Sequence, residues 1–200
     1  PTPAGSATIA HIPVIIGAIL EGPLVGIIVS LGFGFGSFFS PLVPVKDPLV
    51  IILPRLLIGP VAWWVYAALR RAHVGTLTAM LALLLALLMG FSYQVAERTA
   101  WLGMVLAVVA AVVVALLFVW IRREEAIIVS LAVAGAAGSL TNTAFVLTAA
   151  VLRQVPGITP EIAWGIAITQ GIPEMFVSAV VTAAVVAAIR QLGSRRGSRI

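Results

Sequence analysis

Long apolar runs, separated by short polar or proline-containing breaks, make up almost all of this chain. The first run extends from Thr8 to Phe39. As a single helix it would be about 48 Å long, well beyond the roughly 30 Å hydrocarbon core of a bilayer. The triplet Glu21-Gly22-Pro23 interrupts it, and glycine and proline end helices. The pattern therefore predicts a short helix from Thr8 to Leu20 and a second, glycine-rich helix from Pro23 to Phe39.

The rest of the chain repeats this alternation of apolar runs and short breaks. The breaks are Ser40 to Pro48, the segment SYQVAERTA, the polar turn Arg122-Arg123-Glu124-Glu125, and Arg153 to Pro160. Five further helices are predicted between them: Leu49 to Leu69, Thr76 to Phe91, Trp101 to Ile121, Ala126 to Leu152, and Ile162 to Ile189. The pattern thus predicts an all-α integral membrane protein, a helical bundle of about seven transmembrane helices.

Composition agrees with a membrane protein and removes several classes of chemistry. The 200 residues are 62% hydrophobic and 10% charged, whereas soluble domains have about 25% charged residues. No cysteine is present, which excludes disulfides and thiolate metal sites. The net charge of +5 comes from arginines placed mostly at the ends of apolar runs. That placement is typical of membrane orientation rather than of nucleic-acid binding.

The distribution of basic residues predicts which ends of the helices face the cytoplasm. Cytoplasmic segments carry an excess of Lys and Arg, so we place the C-terminal tail inside and alternate backwards. Eight basic residues then lie inside: Arg70, Arg71, Arg122, Arg123, Arg190, Arg195, Arg196 and Arg199. Three lie outside: Lys46, Arg98 and Arg153. The same alternation puts Pro1 outside, and the loop-like opening of the chain leads us to expect that an N-terminal segment is missing from this sequence.

The stretch from Gly135 to Val151 combines an apolar background with polar residues near its middle, Thr141 and Asn142. A buried amide without a partner costs several kcal/mol, roughly, in hydrocarbon. Asn142 is therefore expected to face protein, water or a ligand. Gly135 and Gly138 predict close approach of a neighbouring helix.

Four polar residues, Asn142 among them, fall inside predicted spans, in the outer half or near the midplane. Arg55 is expected about 9 Å deep, Gln170 about 12 Å, Asn142 about 15 Å and Glu174 about 18 Å. Such residues usually mark a pathway or a site, so they predict a polar pocket open to the outside. The alternative is that Arg55 and Glu174 form a structural salt bridge while Asn142 only joins helices. Two roles stay open for His11: a capping contact with the loop, or a contact with the ligand.

Three blocks of the sequence resemble the substrate-binding S component of energy-coupling factor (ECF) vitamin transporters, closest to the pantothenate-type branch. They are TIAHIPVIIGAILEGPLVG from Thr8, GSLTNT from Gly138 and GIPEMFVSAVVTAAV from Gly171. They occur in the family's order and cover about a third of the chain, and the intervening Pro54-Arg55 segment also fits. Gln170 departs from the pattern, since Asn is expected before Gly-Ile-Pro-Glu.

The resemblance implies a membrane protein of the prokaryotic plasma membrane that binds a water-soluble vitamin from outside. Such a protein delivers its cargo through a transmembrane coupling protein and two cytoplasmic ATPase subunits. Carried over by position, the site would draw on the opening loop with His11, on Arg55, on Thr141 and Asn142, and on Gln170 to Glu174. The family usually has six helices, so residues 76–121 would be an inserted hairpin in a single transmembrane domain, 1–200, that lacks the family's first helix.

The sequence favours a transporter component over an enzyme. No phosphate-binding GxxxxGK[ST] motif is present and the lysine count is one, Lys46, so ATP would be used by partner subunits and no cofactor is expected in this chain. No catalytic constellation of His and Glu falls within a span. A self-standing, ion-coupled secondary transporter stays open, because Arg55 and Glu174 could serve such a cycle, although no internal repeat of the kind common in those proteins is evident.

Overall fold

The computed structural model describes residues 10–41, 43, 45–71, 74–123 and 126–197. Within these ranges the chain forms α-helices and one π-helical turn, and no strand. The helices are α1 (Ile12–Glu21), α2 (Pro23–Phe39), α3 (Pro48–Leu56), α4 (Ile58–Leu69), α5 (Val74–Arg98), α6 (Ala100–Arg123), α7 (Ala126–Leu152), α8 (Pro160–Ile166) and α9 (Ile172–Gly197), with the π turn at Ala167–Gly171. The predicted all-helical fold class is confirmed for this part of the chain.

The break between the first two helices lies where the sequence predicts it. Gly22 has φ of 100°, a conformation that only glycine adopts readily, and Pro23 then starts α2, where its missing N–H costs nothing. The predicted bounds of α2 and α7 are confirmed. α1 ends at Glu21, but its predicted start at Thr8 lies outside the described residues, as do the opening loop, Glu124-Glu125 and Arg199.

The predicted helix from Leu49 to Leu69 is in fact two helices. α3 ends at Leu56 and α4 begins at Ile58. Pro60 has no N–H to donate to the carbonyl of Leu56, and its ring crowds that carbonyl. Pro60 is tolerated here because it falls in the first turn of α4, where N–H groups lack intrahelical partners in any case.

The segment SYQVAERTA, predicted as a loop, is mostly helical. α5 continues to Arg98, and the helix is interrupted only at Thr99 before α6 starts at Ala100. The prediction was wrong because polarity was taken as a loop signal. The segment contains neither glycine nor proline, and its Gln, Ala, Glu and Arg are good helix formers.

The last predicted helix is longer than expected and contains a wide turn. It starts at Pro160, where the hydroxyl of Thr159 accepts from the N–H of Ile162 at 3.4 Å, and it extends to Gly197. Between α8 and α9 the backbone forms the π turn, and the N–H of Ile172 reaches the carbonyl of Ala167. π turns are frequent at functional sites.

Three stretches of described helix are long and apolar enough to cross a bilayer: Pro48–Leu69, Ile127–Leu152 and Pro160–Leu192. Shorter apolar helices include Ile12–Glu21 and Pro23–Phe39. Residence in a membrane is therefore supported, whereas the count of seven spans stays a prediction.

The chain divides into two compact units, Pro1–Ala67 with Ser130–Ile200, and Ala68–Val129. The smaller unit is built around α5 and α6, which pack against each other. The larger unit contains every residue of the predicted site. One of its apolar clusters joins the start of α3, the end of α7 and α8 through the buried residues Val50, Leu147, Ala150, Ile158 and Ala163. The interpretation of residues 76–121 as an insertion stays a prediction.

Candidate functional site

Arg55 is buried near the end of α3, with 8% of its surface exposed. Its Nη1 donates to the carbonyl of Ile51 at 3.0 Å. Its Cζ lies 4.8 Å from the centroid of the Phe33 ring on α2. Its Nε is buried and has no hydrogen-bond partner. Among the described residues, the guanidinium is thus held by a carbonyl and an aromatic face, and the salt bridge to Glu174 is not one of its contacts.

A buried guanidinium without a counter-anion is energetically costly. The effective penalty for removing one charge from water is several kcal/mol, roughly, and a carbonyl with an aromatic ring offsets only part of it. Charged side chains inside membrane segments usually pair with an opposite charge or line a functional cavity. The surroundings of Arg55 therefore suit a site that an anionic group completes.

The polar residues in the middle of α7 differ in how far the protein itself satisfies them. Thr141 and Asn142 are each 8% exposed. The Thr141 hydroxyl donates to the carbonyl of Ala137 at 2.7 Å, a common way for a helix to satisfy its own threonines. The Oδ1 of Asn142 is buried and has no hydrogen-bond partner. Asn142 thus keeps an unused acceptor, which costs about 1–3 kcal/mol in a buried position.

Glycines on the same face of α7 allow the close helix packing that the sequence predicts. A Cβ at Gly138 would lie 2.7 Å from Cγ1 of Ile15 on α1, and one at Gly135 would lie 2.6 Å from the carbonyl oxygen of Ser178 on α9. Asn142 is four residues beyond Gly138 and seven beyond Gly135, so all three share one helix face. Asn142 therefore belongs to the face of α7 that packs against α1 and α9.

His11 is fully buried at the start of α1. It makes no side-chain capping bond to α1, and its Nε2 lies 2.9 Å from the hydroxyl of Ser178 on α9. The imidazole therefore joins two helices. Glu174, which is half-buried, precedes Ser178 by four residues and so occupies the same face of α9.

The π turn places Gln170 beside α7. Gln170 is half-buried, and the next residue, Gly171, packs so closely on Thr143 that an added Cβ would lie 2.7 Å from its Cγ2. Pro173 offers no N–H to the preceding turn. The turn therefore lies in close contact with α7 and lacks the one backbone hydrogen bond that a residue other than proline at position 173 could donate.

These contacts bring together some of the predicted site residues. The Thr143–Gly171 contact makes the Asn142 and Gln170 segments neighbours, and the His11–Ser178 contact joins α1 to the face of α9 that carries Glu174. Arg55 is positioned separately, by contacts within α2 and α3.

Sequence reasoning missed three residues near these groups: Phe33, which is half-buried, and Ser178 and Thr182. Ser178 and Thr182 are fully buried, and the Oγ1 of Thr182 has no hydrogen-bond partner. The sequence signal for them was that Ser178 and Thr182 follow Glu174 at intervals of four residues, which places all three on one helix face. Phe33 carried none, because an aromatic residue in an apolar helix has no distinguishing pattern.

A cavity of about 370 Å³ lies in the larger unit between the second half of α7 and α8. Its lining is almost entirely apolar: Ala144, Leu147, Thr148, Val151, Leu152, Pro160, Ala163, Trp164 and Ala167. None of the predicted site residues lines it.

Comparison of the chain with protein-family models, with curated proteins and with solved structures finds no significant match.

Proposed function

We propose that this chain is the substrate-binding S component of an ECF importer. It captures a water-soluble vitamin, with pantothenate favoured, from outside the cell membrane. The three sequence blocks that resemble this family support the proposal, and so does an all-helical chain with helices able to span a bilayer. Seven spans, counted from the apolar runs, and a cytoplasmic C-terminus, assigned from the positive-inside pattern, are part of the proposal.

The observation that carries the proposal is the burial of Arg55 without a carboxylate partner in the part of the chain that the structure describes. Guanidinium pairs bidentately with carboxylate, and pantothenate supplies one carboxylate. The vitamin would therefore provide the counter-anion that Arg55 lacks among the described residues.

The other polar residues have roles that fit the rest of such a ligand. Pantothenate carries hydroxyl and amide N–H donors, and the Oδ1 of Asn142 is an unused acceptor. Gln170 and Glu174 would complete the polar wall of the site from the π turn and α9. Thr141 and His11 would contribute side chains that hydrogen bonds already hold in place, to the carbonyl of Ala137 on α7 and to the hydroxyl of Ser178 on α9. A site whose polar groups await their partners rejects ligands that lack those partners.

Transport would depend on partner proteins. The sequence has no phosphate-binding loop, so ATP would be hydrolysed by two cytoplasmic ATPase subunits that act through a transmembrane coupling protein. On this account the chain alone binds the vitamin tightly and does not pump it.

A thermal-shift screen of carboxylate and neutral vitamins against the purified chain in nanodiscs tests the proposal. Pantothenate is expected to raise the unfolding temperature of the unchanged protein without ATP. Arg55→Ala should lower pantothenate affinity by roughly a hundredfold, since a charge-assisted bidentate pair contributes about 3 kcal/mol. Arg71→Ala, which removes an exposed arginine, is the matched control and should leave affinity unchanged.

Two outcomes would contradict the proposal. Equal pantothenate affinity of the unchanged protein and Arg55→Ala would remove the role given to Arg55. Uptake by this chain alone in liposomes, driven by a proton or sodium gradient, would instead establish the alternative of an ion-coupled secondary transporter.

A further inference from the structure

We infer that Phe33 is a positioning residue, which holds the plane of the Arg55 guanidinium so that one particular edge receives the ligand's carboxylate. The inference rests on the proposed function. It concerns α2, which the sequence singled out only for its glycines.

The contacts of Arg55 leave one edge of the guanidinium for a ligand. Nη1 is engaged by the carbonyl of Ile51, and Cζ lies over the Phe33 ring, 4.8 Å from its centroid. Nε is buried and unpartnered. A carboxylate binds an arginine through two parallel N–H bonds in the guanidinium plane, so the edge that includes Nε is the one assigned to the ligand.

Phe33 is needed because a single hydrogen bond does not fix a plane. The bond from Nη1 to Ile51 anchors one nitrogen, and the guanidinium can still rotate about that point. Contact with the face of the Phe33 ring adds the second restraint, since the attraction of a cation to a ring requires the cation to lie over it. An aliphatic residue at position 33 fills space without this restraint.

The backbone explains why the ring can reach the arginine. The next residue, Gly34, is buried, and a Cβ there would lie 3.3 Å from Cγ2 of Ile52 on α3. This close approach of α2 to α3 places Phe33 beside the stretch of α3 that ends in Arg55. The neighbouring Phe35 is 49% exposed and serves as a matched control on the same helix.

The test measures the affinity of each variant for pantothenate and for panthenol, the neutral alcohol with CH2OH in place of the carboxylate. Phe33→Leu is expected to weaken pantothenate binding roughly tenfold, the loss of a desolvated cation–π contact, and to leave panthenol binding unchanged. Phe33→Tyr and Phe33→Trp should retain pantothenate affinity. Phe35→Leu should change neither. If Phe33→Leu does not fold, Phe33→Tyr and Phe33→Trp decide the question. An unchanged ratio of pantothenate affinity to panthenol affinity supports the inference, and a lower ratio overturns it.

A double-mutant cycle separates positioning from general packing. In an Arg55→Ala background, Phe33→Leu should change pantothenate affinity by less than about twofold, because coupled residues are not additive. Equal losses for pantothenate and panthenol, or additive effects of the two substitutions, would overturn the inference while the proposed function stands. If the unchanged protein binds no carboxylate vitamin, the proposed function and the inference about Phe33 are both wrong.

Discussion

Burial, rather than polarity alone, separates the candidate residues at the scale of the single side chain. Arg55 and Asn142 are both buried and both retain a polar atom without a hydrogen-bond partner. Thr141, equally buried, donates to its own helix. The sequence singled out Arg55 and Asn142 by depth and Thr141 as the polar neighbour of Asn142. It could not distinguish a satisfied hydroxyl from an unsatisfied amide, since that depends on local hydrogen bonding.

Replacing Asn142 with leucine should stabilise the ligand-free protein and impair binding. Leucine has the same number and branching of side-chain heavy atoms and removes an unpaired buried acceptor. The ligand-free protein should therefore be more stable by about 1 kcal/mol, and its unfolding temperature should rise. The shift caused by pantothenate should shrink, because leucine offers the ligand no acceptor in place of the Asn142 Oδ1. A lower unfolding temperature with an undiminished ligand shift, both read by thermal unfolding in nanodiscs, would show that Asn142 serves packing.

The ion pair between Asp47 and Arg153 predicts a pH dependence of stability. The Arg153 guanidinium, 2.8 Å away, and the backbone N–H of Leu49 hold the pKa of Asp47 below its ordinary value. A carboxyl group with a depressed pKa in the folded state stabilises above its unfolded pKa of about 3.9, and that contribution is lost as pH falls through the folded value.

The expected loss is therefore confined to acidic conditions. Between pH 7 and about pH 5 this pair should not change the unfolding temperature, and below about pH 4 its contribution should fade. Asp47→Asn retains an N-cap for α3 but removes the charge, so its unfolding curve should lack this component of the acid dependence. Identical pH profiles for the two proteins would contradict the assignment. The effect is small, since both partners are partly exposed.

At the scale of the element, glycine and proline account for most of what the sequence predicted and for much of what it missed. Gly22-Pro23 set the α1–α2 break as expected. Pro60 broke the next helix, a break not foreseen because the apolar pattern continues through it. The π turn was not foreseeable either, since its stability comes from packing of Gly171 on Thr143, a contact between residues far apart in sequence.

Gly59 should be intolerant of any side chain. A Cβ there would lie 2.7 Å from the Cα of Gly26, at the crossing of α4 with α2, and backbone atoms cannot move aside as a flexible side chain can. Gly59→Ala should destabilise by about 1–3 kcal/mol through overpacking. Gly32→Ala is the matched control, because nothing lies within 4 Å of an added Cβ at that position in α2. It should be neutral or stabilising by up to about 1 kcal/mol.

Thermal or denaturant unfolding of the two alanine variants, followed by circular dichroism, measures this difference. A stable Gly59→Ala protein would mean that α2 and α4 do not cross at this distance.

At the scale of the whole molecule, composition was sufficient for the class and insufficient for the topology. An apolar content of 62% with 10% charged residues predicts a membrane protein, and the apolar runs predict that it is all-helical. The described chain is helical, with three helical stretches long and apolar enough to span a bilayer. Orientation depends on where arginines lie relative to a membrane, which contacts within the protein do not define.

The absence of cysteine makes orientation directly measurable. Pro156 and Arg71 are both exposed and fall on opposite sides in the positive-inside assignment. In intact cells, a membrane-impermeant maleimide should label Pro156→Cys and should label Arg71→Cys only after permeabilisation. The reverse pattern would invert the predicted topology, and labelling of both would mean that the two residues share the outer side.

The central claim is that the chain binds an anionic vitamin by itself, and equilibrium titration tests it most directly. Isothermal titration of pantothenate into the unchanged protein in nanodiscs, without ATP and without an ion gradient, should give saturable, one-to-one binding. Panthenol should bind much more weakly under the same conditions, because it offers Arg55 no charge. Absence of binding to pantothenate and to every other carboxylate vitamin would contradict the account.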